Sequence, residues 1–416
     1  MTSLTSPATA VDPSGTRAKT AAVRQLLAHP LANYYLVLAA GGALVCCGVV
    51  MVVSAASVYS QVDGGDPYQV GKRQLLFAAS GVVLAFVASK LPPAWLRRLA
   101  WPALILSLLM VGLTYSPLAV EVNGNQNWVR LGPVQFQPSE FAKLGFIVWG
   151  AQHLALKDKL LKDLRQWLSY VLVSALLIGL VLIHDLGSAA VMAAMFVATL
   201  FLAGGPLRLI GLLTVAGGAG LAALLAFKKT SLIIRLVAWL NPDSYQLSYN
   251  FQANHGLYAL ASGGFWGLGL GASRQKWGGL MTTGYTDYIL AIIGEELGLA
   301  GTLAVIGLFL LLVYAGLNTA RRCADPFVRL TATGLTVWFF LQAFINMAVV
   351  LRWLPVLGVT LPFVSYGGSS LWATMIGLGL LLGCAKATPE AQACLKDDSG
   401  PVPAKITQIF SRREAP

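Results

Sequence analysis

Residues able to do acid–base chemistry are scarce in this chain, which has only 17 Asp and Glu among 416 residues. Asp287 has the most suggestive setting. Tyr285-Thr286-Asp287-Tyr288 runs straight into a long apolar stretch. A charge within or at the edge of an apolar span is costly and defaults to a functional reading. Asp is also a good N-cap and is favourable to the helix dipole, and residue type alone does not separate these roles. Glu295 and Glu296 follow two turns deeper, inside Gly294-Glu295-Glu296-Leu297-Gly298. Charge is costly there, and pairing with a basic residue to hold the helices is favoured over catalysis.

Several polar blocks could serve such a base. Gly263, Gly264, Gly267, Gly269 and Gly271 precede Ser273-Arg274-Gln275-Lys276-Trp277. Backbone N–H groups and cations in that order could cradle a diphosphate, although Gly-rich loops often simply turn. Asn123-Gly124-Asn125-Gln126-Asn127-Trp128 comes before Gln137-Pro138-Ser139-Glu140, with Lys143 three residues after the Glu. Pro138 suits a helix start, and Glu140 and Lys143 share a helical face. The block is either a capped, internally paired helix or a polar cluster on an outward cavity. Leu361-Pro362-Phe363-Val364-Ser365-Tyr366-Gly367-Gly368-Ser369-Ser370 reads on its own as a Pro-broken helix packed at small residues. Cys46, Cys47, Cys323, Cys384 and Cys394 show no zinc-ligand or disulfide-framework spacing.

The elements holding these residues are set by hydropathy. The chain is 56% hydrophobic and 11% charged, with mean hydropathy +0.69, too poor in charge for a water-facing surface. Long continuous apolar runs point to membrane-spanning helices of about 20 residues rather than the alternating strands of a barrel. Ten runs fall near 35–57, 74–90, 99–118, 138–155, 167–183, 186–204, 207–227, 288–318, 330–351 and 366–385. The net charge of +12 is scattered between the runs, which fits a positive-inside pattern rather than nucleic-acid binding. With the N-terminus in the cytoplasm, most Lys and Arg fall inside, both tails (1–33 and 387–416) are cytoplasmic, and 228–287 forms a large outer loop.

Taken in order, the blocks resemble the SEDS family of cell-wall glycosyltransferases, and most closely its cell-division branch. The resemblance covers roughly residues 35–386. It rests on Asn123-Gly124 to Trp128, Gln137-Pro138-Ser139-Glu140 with Lys143, Asp185-Leu186-Gly187-Ser188, Gln275-Lys276, Thr286-Asp287-Tyr288 through Gly298, and Leu361 to Ser370, with Arg73-Gln74 also fitting. It implies an all-α, polytopic membrane protein of about ten transmembrane helices with a large extracytoplasmic loop between the seventh and eighth. It implies polymerisation of lipid II into glycan strands outside the membrane, with the family's essential Asp matching Asp287. On that basis Arg73, Gln137, Ser139, Glu140, Lys143, Arg274, Gln275, Lys276, Ser365, Tyr366 and Ser369 are expected at the substrate, and Asp185, Glu295 and Glu296 in support. A divalent cation (Mg or Mn) could assist, and no organic cofactor is expected. The implied partners are a class B penicillin-binding protein and other division membrane proteins, at the septum of a bacterial cytoplasmic membrane.

The sequence also departs from the family pattern. Gly279-Leu280-Met281 and Tyr285 stand where Leu-Pro and His are usual, His184 replaces a Pro, and Asn127 replaces an Arg. Leu351-Arg352 and Leu357 replace Thr-Gly and Thr. Two other functions remain open from sequence: a flippase for a lipid-linked precursor, and a non-catalytic scaffold.

Overall fold

In the computed structural model, residues 29–122, 125–132, 134–156, 164–227, 230–241 and 250–398 are described. The segment before residue 29, Asn123-Gly124, residues 157–163, Pro242-Asp243 and the segment beyond 398 lie outside them. Long apolar runs form helices: α1 Ala32–Gly64, α2 Gln69–Ser89, α3 Pro93–Gly112, α4 Pro138–Leu156, α5 Leu164–His184, α6 Leu186–Leu202 and α7 Leu207–Phe227. Their ends follow residue chemistry. Gly65 closes α1 in the left-handed conformation (φ 73°), and Pro93 opens α3. The Asp185 side chain caps α6 by accepting from Ser188 N.

Seven helices among the described residues are long and apolar enough to cross a membrane by length and composition. Two shorter apolar helices, Leu186–Leu202 and Leu207–Gly220, accompany them. α4 stands apart because it carries Glu140 and Lys143 within a mostly buried helix. The chain is a multi-pass membrane protein.

The 228–287 segment is less open than a loop. It contains α8 (Thr230–Leu240) and α9 (Phe251–Ser262). Three more long or medium helices follow: α10 Ile289–Arg322, α11 Pro326–Val350 and α12 Gly368–Lys386; a short α13 (Pro389–Asp398) lies in the polar tail. α11 and α12 form the centre, with 78% of their span residues buried, against 22–44% for the other long spans. The outer helices turn large side chains such as Leu76, Phe86, Leu109 and Leu172 outward, as a lipid solvent requires. Small residues let backbones meet: a Cβ at Gly379 on α12 would lie 2.2 Å from Ala85 O on α2.

Two features were not anticipated. Between α3 and α4 the chain forms an antiparallel meander of β1 (Ala119–Val122), β2 (Asn125–Leu131) and β3 (Val134–Phe136), with Val120 opposite Trp128 and Arg130 opposite Gln135. α10 is also broken at Gly298 (φ 69°, ψ −166°), a region essentially restricted to Gly. Carbonyls freed by the break accept from the preceding segment: Leu268 N donates to Glu295 O and Gly269 N to Glu296 O, each at 2.9 Å. The Gly-rich run therefore docks on a helix break. A Cβ at Gly263 would meet Gly294 O at 1.9 Å, and one at Gly267 would meet Glu296 O at 2.2 Å.

Candidate active site

Asp287 lies in the turn leading into α10, and its backbone is clamped from two sides. Thr283 O accepts from Tyr288 N at 3.0 Å and Thr286 N at 3.2 Å. From the 351–367 segment, Ser365 Oγ donates to Thr286 O (2.6 Å), and Tyr366 N donates to Tyr285 O (2.9 Å). Asn346 Nδ2, on α11, donates to both Asp287 O (2.8 Å) and Val359 O (2.7 Å). The side chain is treated differently. α10 begins after Tyr288 without any side-chain cap, so Asp287 does not cap it. Its half-buried carboxylate has no hydrogen-bond partner among the described residues. Burial pushes its pKa up to about 6, with the nearby Asp185 carboxylate a second cause.

Asp185 is fully engaged. Its Oδ2 accepts from Gln137 Nε2 (2.7 Å) and Ser139 Oγ (2.9 Å), and its Oδ1 from Ser188 N (3.0 Å). Gln137 N reaches Ser369 Oγ at 3.3 Å. The Gln137-Pro138-Ser139, Asp185 and Ser369 blocks, separate in sequence, thus form one polar cluster. One turn along α4, buried Lys143 pairs with Glu140 (2.9 Å) and donates to Gln342 Oε1 (2.7 Å). Gln342 in turn donates to Thr360 O at 3.2 Å. Glu140 Oε2 is buried with no hydrogen-bond partner among the described residues.

Lys276 was expected to hold diphosphate, and the structure brings it to a carboxylate instead. Its buried ammonium pairs with Glu296 at 3.1 Å and donates to Gly271 O at 2.6 Å. Ser54 Oγ of α1 also donates to Glu296, at 2.6 Å to Oε2. Glu295 accepts from Ser273 Oγ (2.5 Å) and Arg274 N (3.0 Å), and Gln275 Oε1 contacts His255 Nδ1 at 2.6 Å. Ser273-Arg274-Gln275-Lys276 has the Ser-x-x-Lys spacing of a transpeptidase nucleophile, a motif that the sequence reading takes to be absent. Both side chains are buried in this knot, so the spacing is structural.

The expected residues therefore divide into separate groups. Arg73 and Arg274 are exposed. Arg73 lies beside the Tyr366 hydroxyl, whose pKa burial raises and the Arg73 charge draws back. Tyr366 stacks edge-on against Tyr285 (5.7 Å), and Tyr285 leans on Tyr59 (5.2 Å). Among the described residues no three His, Cys, Asp or Glu side chains gather as a metal cage. Sequence reasoning missed Gln342 and Asn346; two amides one helical turn apart in an apolar helix are the signal that could have found them.

The family model described as "Cell cycle protein" (FTSW_RODA_SPOVE) matches residues 34–389. The chain is 36% identical over 396 residues to a "Probable peptidoglycan glycosyltransferase FtsW" of Mycobacterium tuberculosis, covering 94% of this chain and 75% of that protein. It is 38% identical over 363 residues to the protein of the same name from Trichlorobacter lovleyi, covering 85% and 93%. Among solved structures it is similar to a chain described under "Structural coordination of polymerization and crosslinking by a peptidoglycan synthase complex", with TM-score 0.70, 30% identity and coverage of 84% and 96%. The Thermus thermophilus rod shape determining protein RodA matches with TM-score 0.62, 29% identity and coverage of 87% and 98%.

Proposed function

This chain belongs to the FtsW, RodA and SpoVE family of cell cycle proteins, and we propose that it is a peptidoglycan glycosyltransferase polymerising lipid II during cell division. The observation that carries this reading is the Asp287 carboxylate: backbone clamped, side chain unpartnered among the described residues, pKa raised to about 6. A group spent on capping would be ionised and hydrogen-bonded. This one is poised to take a proton near neutral pH.

In the proposed step Asp287 removes the proton from the acceptor's 4-hydroxyl. That oxygen attacks the donor's anomeric carbon, and the bond from that carbon to the lipid diphosphate breaks, its electron pair leaving with the diphosphate. The configuration inverts from α to β. A diphosphate is already a good leaving group, so cations rather than a second carboxylic acid serve it. Exposed Arg73 and Arg274 remain for that task, since Lys143 and Lys276 are paired with carboxylates. A divalent cation, Mg or Mn, would ride on the substrate diphosphate and neutralise charge there.

The arrangement belongs to a ten-span chain with both termini in the cytoplasm and 228–287 outside, so Asp287 faces lipid II at the outer surface of the septal membrane. A class B penicillin-binding protein would supply the cross-linking. The test is glycan-strand formation from labelled lipid II by the purified protein with such a partner, wild type against Asp287→Asn. Equal product from both would reject Asp287 as base. Absence of product from either, with rescue of a depleted strain intact, would point to a scaffold.

A further inference from the structure

Arg352 departs from the family pattern and has an unusual backbone. It follows the last residues of α11 at φ 60°, one of two non-Gly residues with positive φ among those described. Its N–H reaches Val349 O at 2.9 Å, and Trp353 N reaches Ala348 O at 2.7 Å, a helix ending at which Gly is the favoured residue. A side chain retained in that conformation points to a use for it.

The side chain is held in place. Nη1 donates to Asn254 Oδ1 on α9 (2.8 Å), Nη2 to Ala238 O on α8 (3.4 Å), and Trp239 Nε1 anchors the Arg352 carbonyl at 3.0 Å. A guanidinium has five N–H donors, so about three remain. Arg235, one turn before Trp239 on α8, lines the same cleft, with Leu354 and Val356 as its apolar wall. No carboxylate pairs with either arginine among the described residues. The Arg352 charge also acts on the hydroxyl of Tyr288, the residue after Asp287. The cleft thus lies at the Asp287 end of α11.

We propose that the Arg235–Arg352 cleft binds a phosphate or diphosphate carried by a lipid. Two guanidinium groups lining one cleft suit phosphoryl oxygens in charge and in the kind of donor they offer, and the apolar wall suits the start of a chain. The source is either the diphosphate of a lipid-linked sugar, which rests on the function proposed above, or the headgroup of a bulk anionic phospholipid.

The test is binding of farnesyl diphosphate to the full-length protein in zwitterionic detergent micelles, with farnesol as the uncharged control. Wild type should prefer farnesyl diphosphate, and Arg352→Gly and Arg235→Gln should each weaken it about tenfold or more, the loss of one charge-assisted bond. Arg352→Gly relieves the left-handed backbone, which offsets the lost bonds to Asn254 and Ala238 O, so it should melt within a few degrees of wild type, which separates lost binding from misfolding. Asp287→Asn should bind as wild type does; binding retained there while polymerisation fails keeps this site distinct from the catalytic reading. Competition by phosphatidylglycerol, but not phosphatidylcholine, at equal strength would assign the source to bulk anionic lipid. Its failure to compete would assign the source to the sugar carrier. Wild-type affinity in both arginine variants would overturn the proposal.

Discussion

Replacing Asp287 by Asn should produce a protein that no longer polymerises lipid II yet melts higher than wild type at neutral pH. The Asp287 pKa stands near 6 against an ordinary 3.8. Between those values the folded state holds a proton that the unfolded chain has released, so this group's contribution to stability falls as pH rises through the window. Above pH 6 the folded state carries the whole penalty of a charge kept from water. Two pK units correspond to about 3 kcal/mol, and residual solvent at a half-buried carboxylate reduces this to about 1–2 kcal/mol. Asn removes the charge with little change of shape. The assay is apparent melting of both proteins in one detergent, at pH 7.5 and near pH 4, beside glycan-strand formation. The advantage of the Asn variant should be present at pH 7.5 and mostly gone near pH 4, where the folded wild-type carboxyl is neutral and the unfolded one is about half protonated. A variant that melts with wild type at both pH values, or polymerises at the wild-type rate, refutes the reasoning.

If Asp287 is the base, kcat/KM for polymerisation should fall about tenfold per pH unit below about pH 6, and a pH–rate profile with its acid limb near 4 would disagree. Lys276→Met strands the buried Glu296 carboxylate and should cost about 3–5 kcal/mol; adding Glu296→Gln should recover part of that in melting experiments. Gly298→Ala places a Cβ 2.3 Å from Gly267 N in a Gly-only conformation, so a loss of about 3 kcal/mol or more is expected. Unchanged melting would mean the α10 break is not required.

What sequence could show was local. Asp287 was placed at the entrance of an apolar helix, and α10 does begin two residues later. The i,i+3 pairing of Glu140 and Lys143 followed from helical spacing and is present. The expectation that Glu295 or Glu296 would pair with a base holds for Glu296. Partner identity was not legible because it is non-local. Ser54 meets Glu296 across 242 positions, and Ser139 meets Asp185 across 46. Without that geometry Lys276 looked like a free cation, and the Gly run looked like a phosphate cradle rather than a segment docking on a broken helix. Whether Asp287 capped α10 also depended on side-chain direction, which residue type does not fix.

The knot at Glu295 and Glu296 also constrains biosynthesis. The two carboxylates lie about 9 Å inside the start of α10, and each would resist transfer into lipid by roughly 3 kcal/mol as a lone charge. Their donors Ser54, Ser273, Arg274 and Lys276 all precede α10 in the chain. The ribosome therefore delivers the neutralising groups before the charges that need them. α10 can enter the bilayer against a waiting protein surface, and its insertion is coupled to the earlier arrival of α1 and the 273–276 turn.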